Sequence, residues 1–209
     1  MHFPRFSTGA RRILIAFTVA LAAGLAGPIA ASADTAISIP PQSQQDGAWA
    51  GAPLGTSPTD TVGSSGCAIT SVAMMLNFYG VTVDPGSFNA WLTASGGYAF
   101  DDELLWGAVD QFTGGRVRFS AWLGPDLGVI HNEIDYGRPV VAEVSLNGNQ
   151  HFVLITGYTA AAGLQINDPW FGDAVNFSDR YGDPAAGILS IRTFAPAEAP
   201  PSHVAGGPR

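Results

Sequence analysis

Between Cys67 and Tyr79 apolar residues recur at Ile69, Val72, Ala73, Leu76 and Tyr79, the three-and-four spacing of a helix with one broad buried face. No other stretch is patterned so strongly, and Gly80 supplies its stop. Two shorter helices are predicted after it, Pro85 to Leu92 capped by Asp84, and Asp102 to Phe112, acidic at its start and ended by Gly114-Gly115. Past Gly115 the period changes. Val117 to Leu123 and the valine-rich run Pro139 to Leu146 read as strands, separated by a helix from Asp126 to Tyr136 that ends at Gly137. His151 to Tyr158 and Leu164 to Asn167, joined by a small loop ending in Gly163, read as a hairpin, and Ile188 to Phe194 as one more strand. Helices first and a mainly antiparallel sheet afterwards define an α+β domain. Asp34 to Asp60, rich in Pro, Gly, Ser and Gln, reads as an extended arm with an edge strand around Ile37 and Ile39.

The two ends differ from this middle. Arg5, Arg11 and Arg12, an apolar run of about fifteen residues from Ile13 to Gly27, and Ala31-Ser32-Ala33 form the pattern of a signal peptide. The run falls short of the roughly twenty residues that a membrane-spanning helix needs. No stable membrane anchor is therefore expected, and the secreted chain is expected to begin at Asp34. The Arg11-Arg12 pair suits either ordinary secretion or the twin-arginine route. Ala195 to Arg209, with four prolines and Gly206-Gly207, predicts a disordered tail. The expected organisation is a leader over 1–33, one domain over 34–194 and a tail over 195–209. All seventeen acids follow Ala33, as do six of the nine arginines, so the chain from Asp34 carries −11 and no lysine. A field of that sign excludes nucleic acid and anionic lipid as expected partners.

Cys67 is the single cysteine. An exported chain cannot pair it internally, so the thiol is either a buried apolar filler or a reagent. Its position favours the second reading. Gly63-Ser64-Ser65-Gly66 reads as a tight loop that delivers the sulfur to the first turn of the strongest helix, where free N–H groups and the helix dipole stabilise a thiolate. A thiolate nucleophile needs a base. Of the histidines after Ala33, His203 sits in the tail and His131 on a surface helix, whereas His151 opens a strand just after the polar loop Asn147-Gly148-Asn149-Gln150. The hairpin that starts at His151 returns at Asn167-Asp168-Pro169, placing those residues opposite or diagonal to it. Asp168 can then fix the tautomer of the imidazole, with Asn167 as the substitute if the twist differs. With no CxxC or HxxxH pair, neither a metal nor another cofactor is expected. Trp170, two residues after Asp168, is placed to line a cleft, and the other four tryptophans read as core.

Gly63-Ser64-Ser65-Gly66-Cys67-Ala68-Ile69-Thr70-Ser71, His151-Phe152-Val153-Leu154-Ile155-Thr156-Gly157-Tyr158 and Ile166-Asn167-Asp168-Pro169 resemble the signature segments of freestanding relatives of the bacteriocin-processing, double-glycine leader peptidases. Ile39-Pro40-Pro41-Gln42-Ser43-Gln44 is similar to their amino-terminal segment. The resemblance spans most of Ile39 to Phe194. It implies a papain-like fold, Cys67, His151 and Asp168 in the catalytic places, and a glutamine in the oxyanion hole, a place that falls on Gln44 with Gln45 as its neighbour. Transporter-linked members carry a glutamine just before the cysteine, where this chain has Thr61 to Gly66. The expected function is a secreted cysteine peptidase or amide hydrolase working through an acyl-enzyme on a peptide or amide substrate. The alternative is a weak or inactive module that uses the same cleft to hold a peptide or cell-wall fragment, which a thiol-directed alkylator separates from a poised thiolate. Amino-terminal sequencing of exported material should begin at Asp34, and a start well before residue 30 would defeat the leader assignment.

Overall fold

The computed structural model describes residues 34–197. The predicted leader over 1–33, His203 and the end of the chain lie outside them. In chain order the elements are β1 (Thr35–Ala36), α1 (Val62–Ser65), α2 (Cys67–Phe78), α3 (Pro85–Ser95), β2 (Tyr98–Ala99), β3 (Glu103–Leu104), α4 (Ala108–Phe112), β4 (Val117–Leu123) and α5 (Leu127–Asp135). They continue as β5 (Val140–Leu146), β6 (Asn149–Thr159), β7 (Gly163–Asp168), β8 (Asp173–Asn176), α6 (Phe177–Tyr181), α7 (Pro184–Gly187) and β9 (Ile188–Pro196). Six strands form one antiparallel sheet in the order β4-β9-β5-β6-β7-β8. β1 joins it where β6 outruns β5, pairing Thr35 with Tyr158 and Ala36 with Gly157. The architecture is α+β with a papain-like arrangement.

Side-chain alternation along β5 and β6 explains why their buried stretches, 140–142 and 152–155, are wholly apolar. Val141, Phe152 and Leu154 face one core with α2 and α3, through Ile69, Val72, Leu76, Phe88 and Leu92. Val140, Ala142, Val144, Val153 and Ile155 face a second core with Ile130 and Ile134 of α5 and Phe177 of α6. A sheet covered on both faces needs apolar residues at every position. Each such Leu, Ile or Phe contributes about 1.5–3 kcal/mol. The middle of the molecule is therefore rigid, and β6 carries His151 near its open end.

Several expectations need correction. The stretch Asp102 to Phe112 is not one helix: Glu103–Leu104 pairs with Tyr98–Ala99 in a small hairpin, and only Ala108–Phe112 is helical. The residue just before that stretch is held by the arm, since the Thr56 N–H donates to the Asp101 carbonyl and the Thr56 hydroxyl to the Asp101 carboxylate. The expected edge strand around Ile37 and Ile39 lies slightly earlier, at Thr35–Ala36, and pairs with β6 alone. Asn147-Gly148 alone makes the turn between β5 and β6, with φ of 52° and 83°, while Asn149 and Gln150 belong to β6. That dipeptide is the two-residue hairpin signal. The tail begins later than Ala195, because Ala195 and Pro196 pair with Arg118 and Val117.

The loop expected before Cys67 is also partly helical. Val62–Ser65 forms one turn, capped by Thr61, and Gly66 alone joins it to α2. Gly66 is required by proximity, since a Cβ there would lie 2.4 Å from the Val62 carbonyl oxygen. Gly66→Ala must push the two helices apart, and overpacking of this kind costs about 1–3 kcal/mol. Thermal unfolding should show a lower Tm for Gly66→Ala, together with slower alkylation of Cys67; an unchanged Tm would mean that the junction yields freely.

Candidate active site

The segment that bears Cys67 is locked from both sides. Thr61 and Ser64 exchange hydrogen bonds, each hydroxyl accepting from the other's N–H, a reciprocal cap for α1. The Ser65 hydroxyl donates to Asp60 Oδ1 at 2.6 Å. Gly66 then passes the chain to Cys67 at the first position of α2. Among the described residues no carbonyl accepts from the Cys67 N–H, as at the start of any helix. One turn further, Ser71 Oγ donates to the Phe152 carbonyl at 3.3 Å. The helix bearing the thiol is thereby tied to β6 immediately beside His151.

His151 is 3% exposed, and its Nε2 lies 2.9 Å from Asp168 Oδ1. An ionised carboxylate only accepts, so Nε2 carries the proton and Nδ1 is the nitrogen left for the Cys67 thiol, with which the ring interacts. Burial opposes charge on this imidazole, yet the hydrogen bonds and electrostatic attraction of Asp168 and Cys67 outweigh it, pushing His151 from 6.5 up to about 9. Asp168 moves the other way. Burial would raise its carboxyl, but His151, Tyr181 and Arg180 hold it below the ordinary carboxylate range. The pairing follows from register: Leu154 stands opposite Asn167, which puts Asp168 diagonal to His151. Asn167 points elsewhere, donating to the Ile39 carbonyl at 2.8 Å.

Gln44 is 1% exposed and reaches the same cleft from the arm. Its N–H donates to the Pro169 carbonyl at 2.8 Å and its Nε2 to the Gly63 carbonyl at 2.9 Å. Because the Gly63 carbonyl can only accept, the amide nitrogen is fixed on the side of the turn before Cys67. Gln45 also donates to the Gly63 carbonyl, at 2.7 Å, but its side chain is exposed and lines no part of the cleft.

The cleft measures about 620 Å³, with Cys67, His151 and Gln44 at one side. Trp170 lines it, as the sequence suggested, but so do Trp106 and the 61% exposed Trp122. Trp122 is thus no core residue: its ring lies 4.0 Å over the buried guanidinium of Arg192, itself bound to Glu143 at 3.0 Å. His131 is exposed on α5 and stacks on Tyr158, 4.3 Å between centroids. Among the described residues no group of three or more His, Cys, Asp or Glu side chains is placed to hold a metal ion.

Two residues escaped the sequence reading. Asp168 is fully buried and accepts four hydrogen bonds: at Oδ1 from His151 and the Trp170 N–H (3.0 Å), and at Oδ2 from Arg180 Nη1 (2.9 Å) and the Tyr181 hydroxyl (2.6 Å). The only signal in the sequence is that Arg180 is one of few cations in an acidic, lysine-free chain.

Residues 36–183 match the model of the Peptidase_C39 like family. The match takes in most of the chain and every residue of the cleft wall from Gln44 to Trp170, and the protein belongs to that family, which is cysteine peptidase-like. No curated protein matches it.

A histidine whose folded pKa of about 9 stands above its ordinary 6.5 adds stability that is complete below 6.5 and lost as pH rises through about 9. Urea unfolding followed across that window should show wild-type stability declining and the decline largely missing in His151→Ala. Equal slopes for the two proteins would show that the imidazole carries no such linkage.

Proposed function

We propose that the protein is an exported cysteine hydrolase that cleaves a peptide or amide bond through an acyl-enzyme on Cys67. The observation that carries this reading is the clamping of one imidazole between a buried carboxylate, 2.9 Å from Nε2, and the thiol at the start of α2. Cys67 Sγ attacks the carbonyl carbon, and the carbonyl oxygen takes the negative charge. His151 then gives its Nδ1 proton to the leaving nitrogen as the C–N bond breaks, leaving a thioester and a free amine. Water enters, His151 takes its proton, and the second collapse releases the acid and restores the thiol pair. Asp168 holds the ring so that Nδ1 points at the sulfur throughout.

Charge on the carbonyl oxygen needs two donors. The Cys67 N–H, opening α2, is one. Gln44 Nε2 is the other: one of its hydrogens is held by the Gly63 carbonyl, and the second is available to the cleft. The arm makes this placement dependable, since Gln44 is buried and anchored at its own backbone by Pro169. Export through the leader ending at Ala33 forms part of the same proposal, and the substrate is then a peptide or amide outside the cytoplasm.

Cys67→Ala and His151→Ala should each abolish turnover of a peptide pool; thermal unfolding should stay near wild type for Cys67→Ala and fall for His151→Ala, which leaves the buried Asp168 carboxylate without its imidazole. Gln44→Ala should lower kcat by roughly 10²–10³ with Cys67 alkylation retained, and Gln45→Ala should change little. Asp168→Asn would set an amide N–H against groups that themselves donate, so its loss should approach that of His151→Ala. Substantial turnover by Cys67→Ala would sink the reading.

A further inference from the structure

The mechanism above uses one oxygen of Asp168. The other is occupied by Arg180 and Tyr181, side chains from the short helix α6 that touch neither the thiol nor the ring nitrogen facing it. Arg180 spans two carboxylates: Nη1 donates to Asp168 Oδ2 and to Asp173 Oδ1, and Nη2 to Asp173 Oδ2, all at 2.9 Å. Phe171 covers its other face at 3.9 Å. The two acids are not equivalent. The Asp173 carboxylate is 45% exposed and Asp168 is fully buried, so water screens the first and not the second. Asp168, cut off from water, therefore depends on Arg180 more than Asp173 does, although Asp173 holds the guanidinium by two bonds against one.

We propose that Arg180 and Tyr181 are positioning residues that share the charge of Asp168, so that the carboxylate orients His151 without gripping the imidazolium too tightly for its proton to reach the leaving group. This rests on the Cys67, His151 and Asp168 reading given above. A buried carboxylate with the imidazole as its sole partner would have its whole charge compensated there. The ring would then be a poor acid at the step that expels the amine. With Arg180 and Tyr181 on Oδ2, Asp168 stays ionised whether or not His151 is charged. The other charged or titratable groups near the ring are Cys67 from α2, Tyr181 with its ring centroid 6.4 Å away, and, along the cleft walls, Asp60, Asp102, Glu103 and Arg192. Arg192 is already paired with Glu143, which leaves Arg180 as the cation that acts on the carboxylate.

The geometry makes two expectations of opposite sign. Arg180→Gln removes the charge and should raise the pH at which His151 loses its proton. Asp173→Asn releases Arg180 from its competitor, so the same midpoint should fall. Arg180→Lys should lie near wild type. Arg118→Gln should leave the midpoint in place, because it removes an equal charge from an exposed site on β4, three strands away from β6 in the sheet. The experiment is an NMR titration of the His151 ring protons in the intact protein, assigned with His151→Ala, and it needs no substrate. It thus stays readable even if turnover is never found. Where substrate is turned over, Arg180→Gln should lower kcat by roughly ten- to hundredfold, as for loss of a hydrogen bond to a charged group, with KM unchanged. Midpoints that stay put in both Arg180→Gln and Asp173→Asn, or move in the same direction, overturn the proposal. If Arg180→Gln does not fold, Asp173→Asn decides alone: a downward shift supports the charge-sharing role and any other result ends it.

Discussion

A carboxylate with no exposure to water cannot remain ionised unless the protein replaces its hydration shell. Asp168 is such a group, and much of the molecule is arranged around meeting that demand. β6 supplies the imidazole, the turn after β7 the Trp170 N–H, and α6 a guanidinium and a phenol. The same demand explains features that lie away from the cleft. β8 exists where Asp173 can hold Arg180, and the turn between β7 and β8 closes through the Gly172 N–H to the Asp168 carbonyl at 2.8 Å. The Tyr181 phenol is pushed well above its ordinary range, by burial first and by the adjacent carboxylate second. It stays a donor at every pH the protein meets. Four donors at fixed angles leave the carboxylate no freedom to rotate, so the direction of the imidazole is set before any substrate arrives.

Period and residue type made most of this fold legible, because α2, α5, β5, β6 and β7 each carry a long, one-sided or wholly apolar pattern. The failures fall where pattern was weak. Asp102 to Phe112 had acids and apolar residues at helical spacing, yet Phe100 and Asp101 adopt φ of 46° and 73° and turn the chain into a hairpin. Propensity yielded there to tertiary hydrogen bonds from Thr56. At Thr35–Ala36 two residues suffice for a strand because β6 leaves an open edge to fill, a fact that no local window contains.

The candidate site shows the same division. Cys67 and His151 stood out because a lone thiol and a lone well-placed imidazole are scarce and sit at element starts. Asp168 followed from hairpin register, and Gln44 from a resemblance. Arg180 and Tyr181 carried no such mark: an Arg-Tyr pair on a five-residue helix resembles any solvated turn until the sheet brings Asp168 beside it. Trp122 misled in the other direction, since a tryptophan in a strand reads as core, whereas here a buried arginine supports it from below and leaves its face open.

The arm has a consequence in time as well as in space. Ile39 meets Asn167 across 128 residues, Ser71 meets the Phe152 carbonyl across 81, and Thr35 pairs with Tyr158 near the end of β6. Contacts so far apart in the chain form late, after slow closure of long loops. Until the last strands have docked, the thiol lacks its imidazole neighbour and the arm has nothing to lie on. A chain whose last strands have not docked thus holds Cys67 and His151 apart, and the cleft comes into being only with the complete sheet.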